Sequence, residues 1–102
     1  MDFNEYQMLS IETAEQYADP NRGDEETTAM FLALATNGES GELAEKVKKY
    51  VREGDDKYLD DAVYEIGYIL WYLSQMATLL DTDLSSIAEQ NIDKLMDRDD
   101  RD

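Results

Sequence analysis

The stretch Lys57–Leu80, KYLDDAVYEIGYILWYLSQMATLL, decides the fold because its apolar residues recur every three or four positions. This spacing places them on one face of an α-helix and does not fit the alternation of a strand. Trp71 and Tyr64 fall off this stripe on a helical wheel, so the middle of the helix is apolar on more than one side. The pattern predicts a helix that is central in a bundle or that lies at a subunit interface. The stripe consists of Leu59, Ala62, Val63, Ile66, Ile69, Leu70, Leu73, Met76, Ala77 and Leu80.

Three further helices are predicted on either side of this one, over roughly Asn4–Tyr17, Glu25–Arg52 and Leu84–Asp97. Turn-forming residues separate them, and a turn ahead of Leu84 supplies an N-cap for the last helix. The charged tail beyond Asp97 is expected to fray. Inward-facing positions are predicted at Tyr6, Leu9, Ile11 and Ala14 in the first helix and at Leu84, Ile87, Ala88, Ile92 and Leu95 in the last. Short connections favour antiparallel neighbours, so residues 1–102 are expected to form one all-α, four-helix domain.

Composition limits what this domain can do. The chain has 102 residues and a formal charge of −16, which disfavours binding to nucleic acids and to anionic membranes. The carboxylates either form a solvated surface or gather to hold hard cations. Cysteine and histidine are absent from the sequence, which excludes thiol nucleophiles, imidazole bases and the usual zinc sites. Neither a signal peptide nor a membrane-spanning apolar run is present, so a cytoplasmic protein is expected. A core this small would gain from burial against a second copy.

Carboxylates that could hold a cation occur on the second and third predicted helices. Glu39 and Glu42 are three residues apart and share a helix face, which Lys46 and Lys49 continue. The spacing alone does not indicate a metal site, because an ordinary surface pair between Glu42 and Lys46 also explains it. Two glycines, in Asn37-Gly38-Glu39-Ser40-Gly41-Glu42, weaken the helix there and would let a ligand or another helix approach its backbone.

The third helix carries a polar stripe beside its apolar one. Asp61, Glu65 and Tyr68 lie on this stripe, and Glu65 borders the apolar face, so it should be partly buried and needs a partner. A salt bridge, a capping contact or a magnesium ion facing Glu39 and Glu42 would each provide one. On the last helix Asn91 falls within the apolar stripe, where an amide needs a hydrogen bond.

Four segments together resemble the MazG-type nucleoside triphosphate pyrophosphohydrolases. They are Phe3-Asn4-Glu5-Tyr6-Gln7, the run from Asn37 to Lys49, the run Glu65-Ile66-Gly67-Tyr68-Ile69-Leu70-Trp71-Tyr72-Leu73, and the run Asn91-Ile92-Asp93-Lys94-Leu95-Met96-Asp97-Arg98. They cover nearly the whole chain in the family's order, which makes the combination far more specific than one acidic pair.

The resemblance implies an all-α homodimer or homotetramer with active sites near subunit contacts. It further implies cleavage of nucleoside triphosphates to the monophosphate and pyrophosphate. The family's E-x-x-E and E-x-x-D motifs bind Mg²⁺ or Mn²⁺, so Glu39, Glu42 and Glu65 would be metal-binding catalytic residues. Asn91 and Lys94 match positions expected to contact nucleotide, and Lys46, Lys49 and Arg98 are further candidates to bind phosphate charge.

The sequence departs from the family pattern at Tyr68, where the final Asp of E-x-x-D is expected. Asp61, one turn before Glu65, could replace the missing ligand, and Tyr68 could instead stack on a base or bind a phosphate. The leading hypothesis is a metal-dependent pyrophosphohydrolase, either active or weakened by this change, in the cytoplasm or in that of a host if the chain is viral. A catalytically silent nucleotide-binding protein is the second, and a helical oligomerisation module is the third.

Overall fold

The computed structural model contains four α-helices: α1 (Phe3–Gln16), α2 (Glu25–Glu53), α3 (Lys57–Leu79) and α4 (Leu84–Arg101). It describes the backbone of residues 1–101 and the side chains of residues 1–97. The all-α prediction is confirmed, and each helix of the sequence analysis begins and ends within a residue or so of the observed one, except that α4 continues past Asp97.

Capping residues explain where the helices begin and end. Asp2 and Asp24 accept hydrogen bonds from the amides of Glu5 and Thr27, at 2.8 and 2.7 Å. Asp83 caps α4 in the same way through the amide of Ser86, also at 2.8 Å, as predicted for this turn. Gly54 terminates α2 with a left-handed backbone, φ 71°, that glycine adopts without a steric penalty.

Helices α2 and α3 form an antiparallel pair, which is the main packing unit of the chain. Phe31 on α2 meets Tyr72 on α3 edge-to-face, with ring centroids 6.4 Å apart. Further along, Glu39 of α2 lies against Glu65 of α3, so the pairing proceeds in opposite chain directions. Leu32 is only 1% exposed and is the largest apolar side chain buried in this pair.

Helix α1 packs along α3 through a seam of polar side chains, which we call the polar seam (Gln7, Ser10, Thr13, Trp71, Ser74, Gln75 and Thr78). The hydroxyls of Ser10 and Ser74 are 2.8 Å apart, and Ser74 is completely buried. The side-chain amide of Gln75 donates to the Ser10 carbonyl at 2.8 Å. Each such bond adds about 1 kcal/mol and fixes the register of α1 on α3.

Gln7 connects three elements at one end of this seam. Its amide group donates to the Thr78 hydroxyl and to the Thr82 carbonyl, at 3.1 and 3.0 Å. Its carbonyl accepts the amide N–H of Leu84, the first residue of α4, at 2.8 Å. Between them, Asp81 turns the chain with a left-handed backbone, φ 58°. Gln7 therefore fixes the point where α4 leaves the bundle.

The predicted inward faces are only partly correct. In α1 the buried residues are Gln7, Ser10 and Ala14, whereas Leu9 and Ile11 are exposed. In α4 Leu84 is buried, but Ile92 is 53% exposed. Because α1 meets α3 through the polar seam, its apolar positions point elsewhere.

Much of the α3 stripe is also open to solvent in a single chain. Val63, Ile66 and Leu80 are more than half exposed, whereas Ala62 and Ala77 are buried. The radius of gyration is 16.1 Å, above the roughly 13 Å typical of 100-residue domains. One chain therefore covers its apolar surface incompletely.

Candidate functional site

Two carboxyl groups meet between α2 and α3. Glu39 and Glu65 are both half-buried, because each occupies the face that its helix turns toward the other. The two side chains are close enough for the protonated form of Glu39 to hydrogen-bond to Glu65. This bond, burial and the like charges of Glu65 and Glu42 raise the pKa of Glu39 from 4.5 to about 7. The sequence expectation that Glu65 is partly buried is confirmed.

One oxygen of this pair lacks a partner. Oε2 of Glu65 is buried and receives no hydrogen bond. A buried carboxylate oxygen without a donor is costly, and a bound cation would satisfy it. The donor set, oxygen atoms from carboxylates, is the one that Mg²⁺ and Mn²⁺ prefer. The pair therefore fits a hard divalent cation.

The other predicted ligands are less closely placed. Glu42 acts on Glu39 by charge but is exposed, and Asp61 is exposed one turn before Glu65. Within the described side chains, no three carboxylates converge at metal-binding geometry. The structure thus brings Glu39 and Glu65 together, with Glu42 nearby, and the four-residue ligand set stays a prediction.

Tyr68 lies one turn beyond Glu65 and is 55% exposed. Its side chain lines a groove of about 470 Å³ between α1 and α3, which we call the aromatic groove. Sequence reasoning did not foresee this concavity, although Trp71 and Tyr64 had signalled apolar surface off the main stripe. The aromatic residues of the groove are Tyr6, Tyr17, Tyr64, Tyr68, Trp71 and Tyr72.

The predicted cations are dispersed. Lys49 pairs with Glu45 at 3.8 Å and also approaches the ring of Tyr58, with the ammonium 6.0 Å from its centroid. Lys46 is half-buried on α2, one turn beyond Glu42. The ion pairs in this part of α2 join Glu45 to Lys48 and Lys49. The charge of Glu42 instead acts on Glu39, whose pKa it helps to raise.

The predicted nucleotide contacts on α4 lie on a helix that packs against α1. Asn91 and Lys94 are both exposed. A buried hydrogen bond at Asn91 is therefore not favoured in a single chain, where its neighbours Ile92 and Leu95 are exposed too, and its contact with nucleotide stays a prediction. The side chain of Arg98, another predicted contact, lies outside the described residues.

The glycines beside the first carboxylate pair face open space. A Cβ built on Gly38 or Gly41 would meet nothing within 4 Å. Close packing by another helix of the same chain is thus not the reason for glycine here. The space is open to a ligand or to a second subunit.

The family model of the MazG nucleotide pyrophosphohydrolase domain matches residues 27–101, a range that contains the Glu39–Glu65 pair. The chain belongs to the MazG family. The Gene 37 protein of Mycobacterium phage L5 is 35% identical to this MazG protein over an alignment of 102 positions, which covers 94% of the chain and 87% of the relative. No solved structure is significantly similar to it.

Family membership confirms the resemblance and the all-α fold, and it assigns the MazG protein to the nucleotide pyrophosphohydrolase class. The part of the protein that the structure describes contains no helix both long and apolar enough to cross a bilayer.

Proposed function

We propose that this protein hydrolyses nucleoside or deoxynucleoside triphosphates to the monophosphate and pyrophosphate, with Mg²⁺ or Mn²⁺ as cofactor. The observation that carries the proposal is the Glu39–Glu65 pair, with the raised pKa of Glu39 and an unpartnered buried oxygen on Glu65. Residues 1–102 would act as one catalytic domain.

Glu39, Glu65 and Glu42 would hold the cation, with Asp61 as a further ligand from α3. A divalent ion held there supplies charge neutralisation at the phosphates and polarises the attacked phosphorus. The chain's own task is to present carboxylate oxygens from two helices that the α2–α3 packing holds in place. A bound cation would relieve the repulsion between these negatively charged carboxylates. The repulsion therefore favours binding of the cation at this site.

The cations needed for the phosphate charge would come from two directions. Lys46 and Lys49 extend the Glu39–Glu42 face of α2 toward its carboxyl end. Asn91, Lys94 and Arg98 are carried by α4, which in one chain packs on α1. We therefore propose that the working protein is a homodimer or homotetramer, in which exposed apolar surface on α1, α3 and α4 is covered.

The test is pyrophosphate release from a panel of ribo- and deoxynucleoside triphosphates with Mg²⁺ or Mn²⁺. We expect release that is abolished by chelation and lowered at least a hundredfold in Glu65→Gln. Absence of release from every triphosphate, together with metal-dependent nucleotide binding, would reassign the protein as a silent nucleotide-binding member of the family.

Tyr68→Asp tests the departure from the family pattern. If a fourth carboxylate is what this site lacks, Tyr68→Asp should raise turnover or lower the metal concentration needed for half-maximal rate. Tyr68→Asn is the matched control, since it removes the ring without adding a charge. Equal effects of the two variants would contradict the assignment of Tyr68 to the ligand position.

A further inference from the structure

A second cavity, of about 280 Å³, lies where α1, the loop that follows it, the start of α2 and the end of α3 meet. We call it the junction cavity. Its volume is just below that of drug-sized sites, so its occupant would be a small molecule. Neither Glu39 nor Glu65 lines it, so it is separate from the carboxyl pair. Its apolar lining is aliphatic and consists of Ile11, Ala14, Pro20, Leu32 and Leu79.

The mouth of the junction cavity is acidic. The carboxylates that line it are all exposed, and they belong to Glu15, Asp19, Asp24 and Glu25. Within the described side chains, none of these four forms an ion pair, and neither lysine nor arginine lines the cavity. A cationic occupant would therefore meet several carboxylates without displacing an existing counter-charge.

Arg22 lies in the same loop but does not neutralise this mouth. Its guanidinium donates to the backbone carbonyls of Asp19 and Asn21, at 3.1 and 3.0 Å. It also stacks on the ring of Phe31, with its central carbon 3.8 Å from the ring centroid. The charge of Arg22 is thus directed toward Phe31 and the loop backbone.

The inner wall supplies an independent sign of a ligand, which is an unused hydrogen-bond acceptor on Gln75. This residue lines the cavity and is only 7% exposed. Its amide nitrogen donates to the carbonyl of Ser10, which fixes the orientation of the amide group. No described residue donates a hydrogen bond to its carbonyl oxygen, and this oxygen is not sealed in the core, as Oε2 of Glu65 is. A buried acceptor that stays open to a cavity favours an occupant with N–H or O–H donors.

We propose that the junction cavity binds a protonated primary amine that carries a short aliphatic body. The ammonium group has three N–H donors, which suit the Gln75 oxygen and the carboxylates of the mouth. The aliphatic body would cover Leu32 and Leu79 and so remove apolar surface from water. A bare metal ion would gain nothing from that lining, and a phosphate would be repelled by the mouth. The proposal does not depend on nucleotide hydrolysis, because the carboxyl pair takes no part in it.

An NMR titration of the ¹⁵N-labelled chain with 3-methylbutylamine, at neutral pH and constant ionic strength, tests the site. We expect saturable shifts centred on the side-chain amide of Gln75 and on the backbone amides of Gly23 and Thr28. Methylamine lacks the aliphatic body and 3-methylbutanol lacks the charge, so each should bind at least about tenfold more weakly. Equal affinity of either comparator would overturn the proposal, and so would shifts centred on the Trp71 indole or on Glu39.

Two double variants separate this site from the general acidity of the surface. Glu15→Gln with Glu25→Gln removes two charges from the mouth and should weaken amine binding about fivefold. Glu12→Gln with Glu89→Gln removes the same charge from exposed positions outside the cavity, and it should change the affinity no more than about twofold. Equal weakening by the two would show diffuse attraction and refute the site.

Gln75→Met tests the inner wall, since it removes the acceptor at similar volume. It should weaken amine binding about tenfold, because a hydrogen bond to a charged donor is lost. Gln75→Met also loses its bond to Ser10, so its spectrum must first show a folded chain; if it does not fold, the double variants still decide. Wild-type affinity in a folded Gln75→Met would refute the role of this oxygen.

Discussion

Replacing Glu39 with glutamine should stabilise the metal-free protein above neutral pH. In the wild type the pKa of Glu39 is raised from 4.5 to about 7, because its protonated form can hydrogen-bond to Glu65 and because burial and the charges of Glu65 and Glu42 disfavour ionisation. Glutamine preserves the hydrogen-bonding shape of the protonated carboxyl group but cannot ionise. The variant therefore keeps the favourable arrangement at a pH where the wild type loses it.

The direction of the pH effect follows from proton linkage. Between pH 4.5 and 7 the folded chain retains a proton that the unfolded chain releases. The stabilisation from this proton is complete below pH 4.5 and disappears as the pH rises through 7. Each pKa unit corresponds to about 1.4 kcal/mol. Solvent screening at a half-buried site reduces the total, so we expect a loss of ~1–2 kcal/mol by pH 8.

Thermal unfolding followed by circular dichroism measures this loss. For a chain of this size 1 kcal/mol shifts the melting temperature by about 4–8 °C. With EDTA present and protein concentration held constant, Glu39→Gln should exceed wild type by roughly 5–10 °C at pH 8 and match it at pH 4.5. Added Mg²⁺ or Mn²⁺ at pH 8 should raise the melting temperature of wild type and leave that of Glu39→Gln nearly unchanged.

Glu89→Gln is the matched control, because it removes the same charge from an exposed position on α4. It corrects for the general repulsion in so acidic a chain. If the two variants melt at the same temperature at pH 8, the carboxyl pair is not under strain. The argument for a cation between α2 and α3 would then lose its main support.

Three further predictions concern the connections between the helices, two at the joint between α1, α3 and α4 and one at the end of α2. Gln7→Ala should lower the free energy of unfolding by about 2–3 kcal/mol in urea titrations, because the buried amide N–H of Leu84 loses its acceptor. An effect below about 0.5 kcal/mol would show that the joint is not formed. Asp81→Gly should raise the free energy of unfolding by about 0.5–1 kcal/mol, since glycine adopts φ 58° without steric strain. Gly54→Ala should lower the free energy of unfolding in the same assay, because alanine is strained at the positive φ of this position.

The helices themselves were readable from the sequence because their determinants are local. Periodic apolar residues, acidic N-caps and the glycine at the end of α2 each act within one turn of the chain. The half-burial of Glu65 followed for the same reason, since it borders the apolar stripe of its own helix. These features need no knowledge of which helix packs where.

The sequence does not predict which helix faces pack against each other, and the polar seam shows why. Pattern rules assign apolar residues to the inside, yet α1 turns Gln7 and Ser10 toward α3 and leaves Leu9 exposed. A hydroxyl pair such as Ser10 and Ser74 is recognisable only once the two helices are side by side. The aromatic groove is invisible for the same reason, because its walls come from α1 and α3.

The polar seam also implies an order of folding, in which the α2–α3 hairpin forms first and α1 docks on it later. The α2–α3 pair is contiguous in sequence, so the carboxyl groups of Glu39 and Glu65 can meet after closure of a short loop. The hydrogen bonds between α1 and α3 in the seam join residues that are 58 to 71 positions apart in the chain. These bonds are directional, so they contribute little stability until both helices have formed. Docking of α1 should thus follow formation of the hairpin, and damage to the seam should hasten unfolding while barely slowing folding.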